Sequence, residues 1–219
     1  MKKYIYVYFF SLFLPFILIN NLHATSYNSL GQTGLINTPS AEVHDEQSIF
    51  FTFNRNNYTK LGTITVTPFN WMEASYFYYR PDDLLWGSAK GLYLDKGFNV
   101  KFSYKPNHLL LPRIALGLDD FAGTGQFTRE YINTTYDFNN VKITSGIGWG
   151  KYVGDSEIRN PLSIIGSQFD IRSEASNKFS RGGNLSTDLW FKGPVAVFGG
   201  IEFKLPRIKN LTIKIESDP

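Results

Sequence analysis

The 219-residue chain contains no cysteine and only three histidines, His23, His44 and His108. Without thiols there is no disulfide scaffold, no Cys-ligated zinc, no iron–sulfur cluster and no thiol nucleophile. A His-based metal site or a Ser-His-Asp arrangement would have to be built from those three imidazoles. Charge of one sign is also scarce. The 22 Lys and Arg against 19 Asp and Glu leave a formal +3, and charged residues make up 19% of the chain. A field of that size does not recruit nucleic acid. Helical patterning is missing too, since nothing after Thr25 sustains apolar residues at 3.6-residue spacing.

Among the features present, residues 1–24 combine Lys2 and Lys3, an apolar run over 4–19, and a short polar stretch ending at Ala24. This is the layout of a secretory signal peptide, with cleavage expected after Ala24. The competing reading is an N-terminal anchor of about the minimum spanning length. Pro15 and the small terminal residue favour cleavage, and the lack of any Cys after the run rules out a bacterial lipoprotein anchor. Removing Lys2 and Lys3 leaves 20 basic against 19 acidic side chains, so bulk charge selects no partner. The expected organisation is a signal peptide (1–24), a lead-in segment (25–46) and a β portion (47–219).

The β portion alternates with period two. Phe98, Val100, Phe102 and Tyr104 interleave with Asn99, Lys101, Ser103 and Lys105, and Leu211, Ile213 and Ile215 with Thr212, Lys214 and Glu216. Such spacing gives a strand two unlike faces. The same pattern runs through 47–54, 61–67, 71–80, 112–119, 127–138, 141–150, 184–192 and 195–205, predicting about ten strands. Asn139-Asn140 and Lys192-Gly193-Pro194 suit tight hairpin turns, whereas 81–95 and 154–183 are long connections. Short turns at one end and long loops at the other describe an antiparallel up-and-down sheet.

Two architectures accommodate this pattern, a soluble β-sandwich and an outer-membrane β-barrel, and they differ in what the second face carries. Here it carries Gly, Ser and Thr with scattered Lys and Glu, as a barrel interior does. Trp71, Tyr78, Tyr79, Trp86, Trp149, Tyr152, Trp190 and Phe191 fall near strand ends, as expected of an interfacial girdle. The fold expected is therefore an all-β, antiparallel outer-membrane barrel, partial rather than complete.

Chemistry is poorly supplied. Asp82-Asp83 and Asp119-Asp120 are adjacent carboxylates, which on an extended strand point to opposite faces and cannot flank one bond as a glycosidase requires. Gly123-Thr124-Gly125 and Gly146-Ile147-Gly148-Trp149-Gly150 lack the helix and Lys of a phosphate loop. His44 and His108 fall in loops. Asn57, Asn133, Asn184 and Asn210 open Asn-X-Ser/Thr triplets that a chain rich in these residues produces by chance. No catalytic, metal or cofactor site is expected.

Several strings nevertheless resemble one family, collinearly from Gly31 to Glu216. They are Gly31-Gln32-Thr33-Gly34-Leu35-Ile36-Asn37-Thr38-Pro39-Ser40-Ala41-Glu42, then Asp95-Lys96-Gly97-Phe98-Asn99-Val100-Lys101. Next come 114–125 with Asp119, Asp120, Gly123 and Gly125, followed by Glu130-Tyr131 and 146–150 with Trp149. Asn160-Pro161-Leu162, Gly182-Gly183, Trp190-Phe191-Lys192-Gly193-Pro194 and Phe198-Gly199-Gly200 complete the set. The chain is similar to the YjbH-like proteins, Gram-negative outer-membrane barrels linked to exopolysaccharide and capsule production. The resemblance implies a lipid bilayer as surroundings, with polysaccharide and periplasmic export proteins as partners. Gly31, Gly34, Pro39, Asp119, Asp120, Gly123, Gly125, Trp149, Gly193 and Pro194 are read as structural: Gly34 and Pro39 bend the chain before the first strand, 119–125 ends a strand, and Gly193-Pro194 makes a hairpin. Family members are much longer, and this sequence ends on Pro219 rather than an aromatic-ended closing strand, so a fragment or a reduced relative is expected. The rivals are a porin or adhesin without a polysaccharide role and a periplasmic β-sandwich enzyme or lectin.

Overall fold

The computed structural model describes residues 26–82, 93–108, 110–123, 125–154, 158–173, 185, 187–206, 208 and 211–219. The signal segment with Ala24, and Trp86, Thr124, Gly182 and Gly183, lie outside the described residues.

Among the described residues, nine strands form one antiparallel sheet in sequence order: β1 (Ser48–Arg55), β2 (Thr59–Phe69), β3 (Met72–Pro81), β4 (Asp95–Tyr104), β5 (Arg113–Asp119), β6 (Arg129–Phe138), β7 (Val141–Trp149), β8 (Val195–Lys204) and β9 (Thr212–Ser217). The ladder is up-and-down throughout and does not close on itself. With nine antiparallel strands, β1 and β9 run in the same direction. An antiparallel seam between them is therefore excluded.

Sequence predicted about ten strands, one of them over 184–192, of which the described residues 187–192 form no strand. Residues Thr187–Leu189 form a 3₁₀ turn, and Phe191 takes a left-handed φ of 57°. The physical reason is that side chains hold the backbone a ladder would need: Asn160 Nδ2 donates to the Phe191 carbonyl (2.8 Å), and the Phe191 N–H donates to Glu130 (3.1 Å). Gly193-Pro194 is accordingly no hairpin. Gly193, at φ 79°, donates its N–H to the Phe169 carbonyl and leads the chain into β8.

Burial is inverted relative to a water-soluble sheet. The apolar phase of the strands faces outward, with Phe51 and Phe53 each 74% exposed, and Phe98, Ile132, Ile143 and Ile215 also in the open. The polar phase is buried, down to 1% exposure for Lys101 and none for Thr65. The inner face has an aromatic cluster of Tyr131, Tyr152 and Phe198, for which Gly117, Gly146 and Gly148 leave room. Trp149, expected in an outer girdle, is instead fully buried, edge-on to Phe191 at 5.1 Å. Tyr79 and Tyr152 likewise pack inward, while Trp71 and Tyr78 are exposed.

Candidate functional site

What fills the polar concave face is the segment before β1. Residues 26–46 have two isolated bridges, Tyr27 with Thr33 and Gly34 with Pro39, but no ladder of their own. Their backbone groups still need partners once buried, and inward side chains of the sheet provide them. Asn54 Nδ2 donates to the Ser29 carbonyl (3.1 Å), and Thr63 Oγ1 to that of Leu30 (3.0 Å). Asn133 Nδ2 donates to the Pro39 carbonyl (2.6 Å), the Ala41 N–H donates to Thr135 Oγ1 (2.8 Å), and Ser103 Oγ donates to the Ala41 carbonyl (2.6 Å).

Charged groups make the firmest of these contacts. The Thr33 N–H (3.0 Å) and hydroxyl donate to Glu73, and Lys101 donates to the Thr33 carbonyl (2.9 Å). The Gln32 amide donates to Asp119, which also holds Arg129 at 2.6 Å. On β9, Glu216 accepts the N–H groups of Ile36 (2.9 Å), Asn37 (2.8 Å) and Thr38 (3.2 Å). Lys214 donates to the Gly34 (2.9 Å) and Leu35 (2.7 Å) carbonyls. Ionic hydrogen bonds are roughly twice as strong as neutral ones. The lead-in is thus tied to the first strands and the last one together.

The motif residues fall into place around this segment. Gly31, at φ 79°, lies against Thr63, where a Cβ would come within 2.7 Å of the Thr63 Cβ. Asp119 ends β5, and Asp120 turns the chain at φ 52°, its N–H on Asn99 (2.9 Å) and its Oδ2 accepting from Phe127 N (3.2 Å). Gly97 and Gly123 close against the Asp120 carboxylate, and Gly125, at φ 74°, accepts the Thr128 hydroxyl (2.7 Å). Burial, reinforced by Asp95, pushes the Asp120 carboxyl up to about 7 against the pull of the Phe127 and Gly125 N–H groups. His44 packs on Phe50 at 4.1 Å, and burial lowers its pKa.

Sequence reasoning missed Glu73, Lys101, Lys214 and Glu216 as individual contacts, although each sits on the polar phase of its strand. It also missed Glu130 and Arg172. Glu130 lies opposite Leu118 on the outward phase, is fully buried, and holds Arg172 through two oxygens at 2.7 and 3.0 Å. Arg172 and Phe191 therefore cover Glu130 on the outer face at that end of β6.

The fold and this site define an antiparallel all-β protein whose polar face is the inner one and is occupied by its own lead-in. The chain belongs to the YjbH family, described as "Exopolysaccharide biosynthesis protein YbjH", whose model matches residues 26–219. It is also 28% identical over 197 residues to the "Uncharacterized lipoprotein YjbH" of Escherichia coli (strain K12). That alignment takes in 87% of this chain and 28% of the relative, so the chain spans little more than a quarter of the relative's length. No solved structure matches.

Proposed function

We propose that the sheet is part of the wall of an outer-membrane β-barrel that contributes, without catalysis, to the export or surface assembly of an extracellular polysaccharide. The observation that carries this is the inverted burial: Lys101 and Glu73 on the inner face are almost wholly buried while Phe51 and Phe53 are 74% exposed. Such a distribution is costly in water and favourable where lipid meets the apolar phase. The family description supplies the polymer. β2 with 11 residues, and β3, β4, β6 and β8 with 10 each, suit a tilted crossing, while β5 and β9, with 7 and 6, are shorter.

A polar inner face alone would suggest an open lumen that a sugar chain slides through, but here the lead-in occupies that face. With residues 26–46 on the inner face, passage requires that segment to move, or the wall acts at its mouth by holding polymer rather than conducting it. Periplasmic export proteins are the partners this role calls for. The test is gene deletion in the native host, with surface polymer measured, together with fractionation of the full-length protein. Loss of polymer and recovery in the outer membrane are expected. Unchanged polymer, or recovery in the soluble periplasmic fraction, overturns the reading.

A further inference from the structure

A cavity of about 170 Å³ opens on the inner face at the end carrying the long loops. One side is apolar and largely aromatic, with Phe77, Tyr79 and Phe127 above a floor made by Leu30 of the lead-in. The rings of Tyr79 and Phe127 meet edge to face at 4.8 Å. The other side is polar. Asn99, Asp119 and Arg129 line it, with Asp119 holding Arg129 at 2.6 Å, while the Asp120 carboxylate is 1% exposed and packed against Gly97 and Gly123. The exposed Lys151 stands at the rim.

A hydrocarbon would leave the charged Arg129 and Lys151 of the lining unanswered, and a bare ion would shed its water against aromatic rings. A pyranose ring answers both sides, with a C–H face for Tyr79 and Phe127 and hydroxyl oxygens to accept from Arg129 and Lys151. Cavities of about 150 Å³ take a benzene-sized ring; a pyranose, which is larger, seats its ring face here and leaves its remaining hydroxyls in the mouth beside Lys151. We infer that this cavity holds a single hexopyranose unit, one residue of the polymer. The inference rests on the proposed function for its choice of ligand and deepens it, since long loops of such barrels lie outside the cell. The site is then an external holding point seated on the lead-in.

The test is titration of the full 219-residue chain in detergent micelles with methyl glucoside, methyl galactoside, methyl mannoside and glucuronate, followed by saturation-transfer NMR. At least one should bind saturably in about the millimolar range expected of a ligand with roughly a dozen non-hydrogen atoms. Phe127→Ala should weaken that binding about tenfold or more. Lys151→Trp, at an exposed position, should block the mouth without disturbing the fold, whereas Phe51→Ala on the outer face should change nothing. No saturable binding by the unaltered chain, or equal binding by the Lys151→Trp protein, overturns the site. If gene deletion abolishes surface polymer while no probe binds, this inference alone falls. If deletion leaves polymer unchanged, the parent function falls whatever the titration shows.

Discussion

Glu73 on β3 and Lys101 on β4 stand directly opposite each other across the ladder, 3.1 Å apart, 2% and 1% exposed, and both close on Thr33 of the lead-in. Sheet and lead-in become one structure at this point. Two charges out of water are tolerated because each answers the other and the backbone of a third residue answers both.

Lys101→Met removes one side of that arrangement and leaves the Glu73 carboxylate buried without a counter-charge. The expected loss is about 3–5 kcal/mol, read from denaturant unfolding in micelles. The double variant Glu73→Gln, Lys101→Met should lose less than the single one. A double variant worse than Lys101→Met would mean that the pair's geometry, rather than the stranded charge, dominates.

Glu216→Ala removes the acceptor shared by the N–H groups of Ile36, Asn37 and Thr38. Hydrogen bonds to a charged group contribute about 1.5–3 kcal/mol. Exchange of those three amides should therefore speed up at least about tenfold, while the β3 and β4 amides keep their protection. Equal acceleration everywhere would show global destabilisation instead of local release.

Asp120 makes stability depend on pH. Its native carboxyl titrates near 7, against an ordinary value of 3.8, so the folded chain holds a proton that the unfolded chain has released. That contribution is complete below about pH 4 and is lost as pH rises toward and through 7. At about 1.4 kcal/mol per pH unit it amounts to at most about 4 kcal/mol. Asp120→Asn should match the unaltered chain near pH 4 and exceed its unfolding midpoint by pH 8. A constant difference across that range would assign the effect to another group.

Strand periodicity made the sheet legible because alternation survives in every strand, whichever medium the outer face meets. The inner face was legible too, from Thr63, Thr65, Ser103 and Thr144 on one phase. The false strand at 184–192 shows the limit. Its backbone is held by Asn160 and Glu130, which lie 31 and 61 residues from Phe191, and alternation contains no trace of such capture. The lead-in was legible only as a bend at Gly34 and Pro39. Its place inside the sheet depends on Glu73, Asp119, Asn133 and Glu216 meeting it from four different strands, and register supplies that information where composition cannot. Trp149 was misplaced for the same reason, since its cover comes from Phe191.

Phe98 sits in β4 on the outward phase, 47% exposed and 5.3 Å from the Tyr76 ring. With lipid outside, Phe98→Arg should cost about 2–4 kcal/mol near the bilayer midplane, measured by folding into vesicles. With water outside, the same change would be near neutral and would raise solubility, which would count against the proposed membrane wall.

The open edges carry the last expectation. Among the described residues, β1 and β9 each pair on one side only, so each presents a row of unanswered N–H and C=O groups. In lipid each such group costs several kcal/mol. Because β1 and β9 run in the same direction, they can join each other only through a parallel seam, whereas an odd number of added antiparallel strands meets both edges correctly. A second copy in the same membrane orientation brings β9 against β1 and recreates the parallel seam. A longer family chain, of which the relative offers an example with 28% covered here, can supply the strands instead. Edge amides of β1 and β9 in the 219-residue chain should therefore exchange at least about a hundredfold faster than those of β3 to β6, since several kcal/mol of protection is missing. They should become protected in the longer chain but not on raising the concentration of this one. Full protection in the 219-residue chain by itself would show that β1 and β9 close the wall directly.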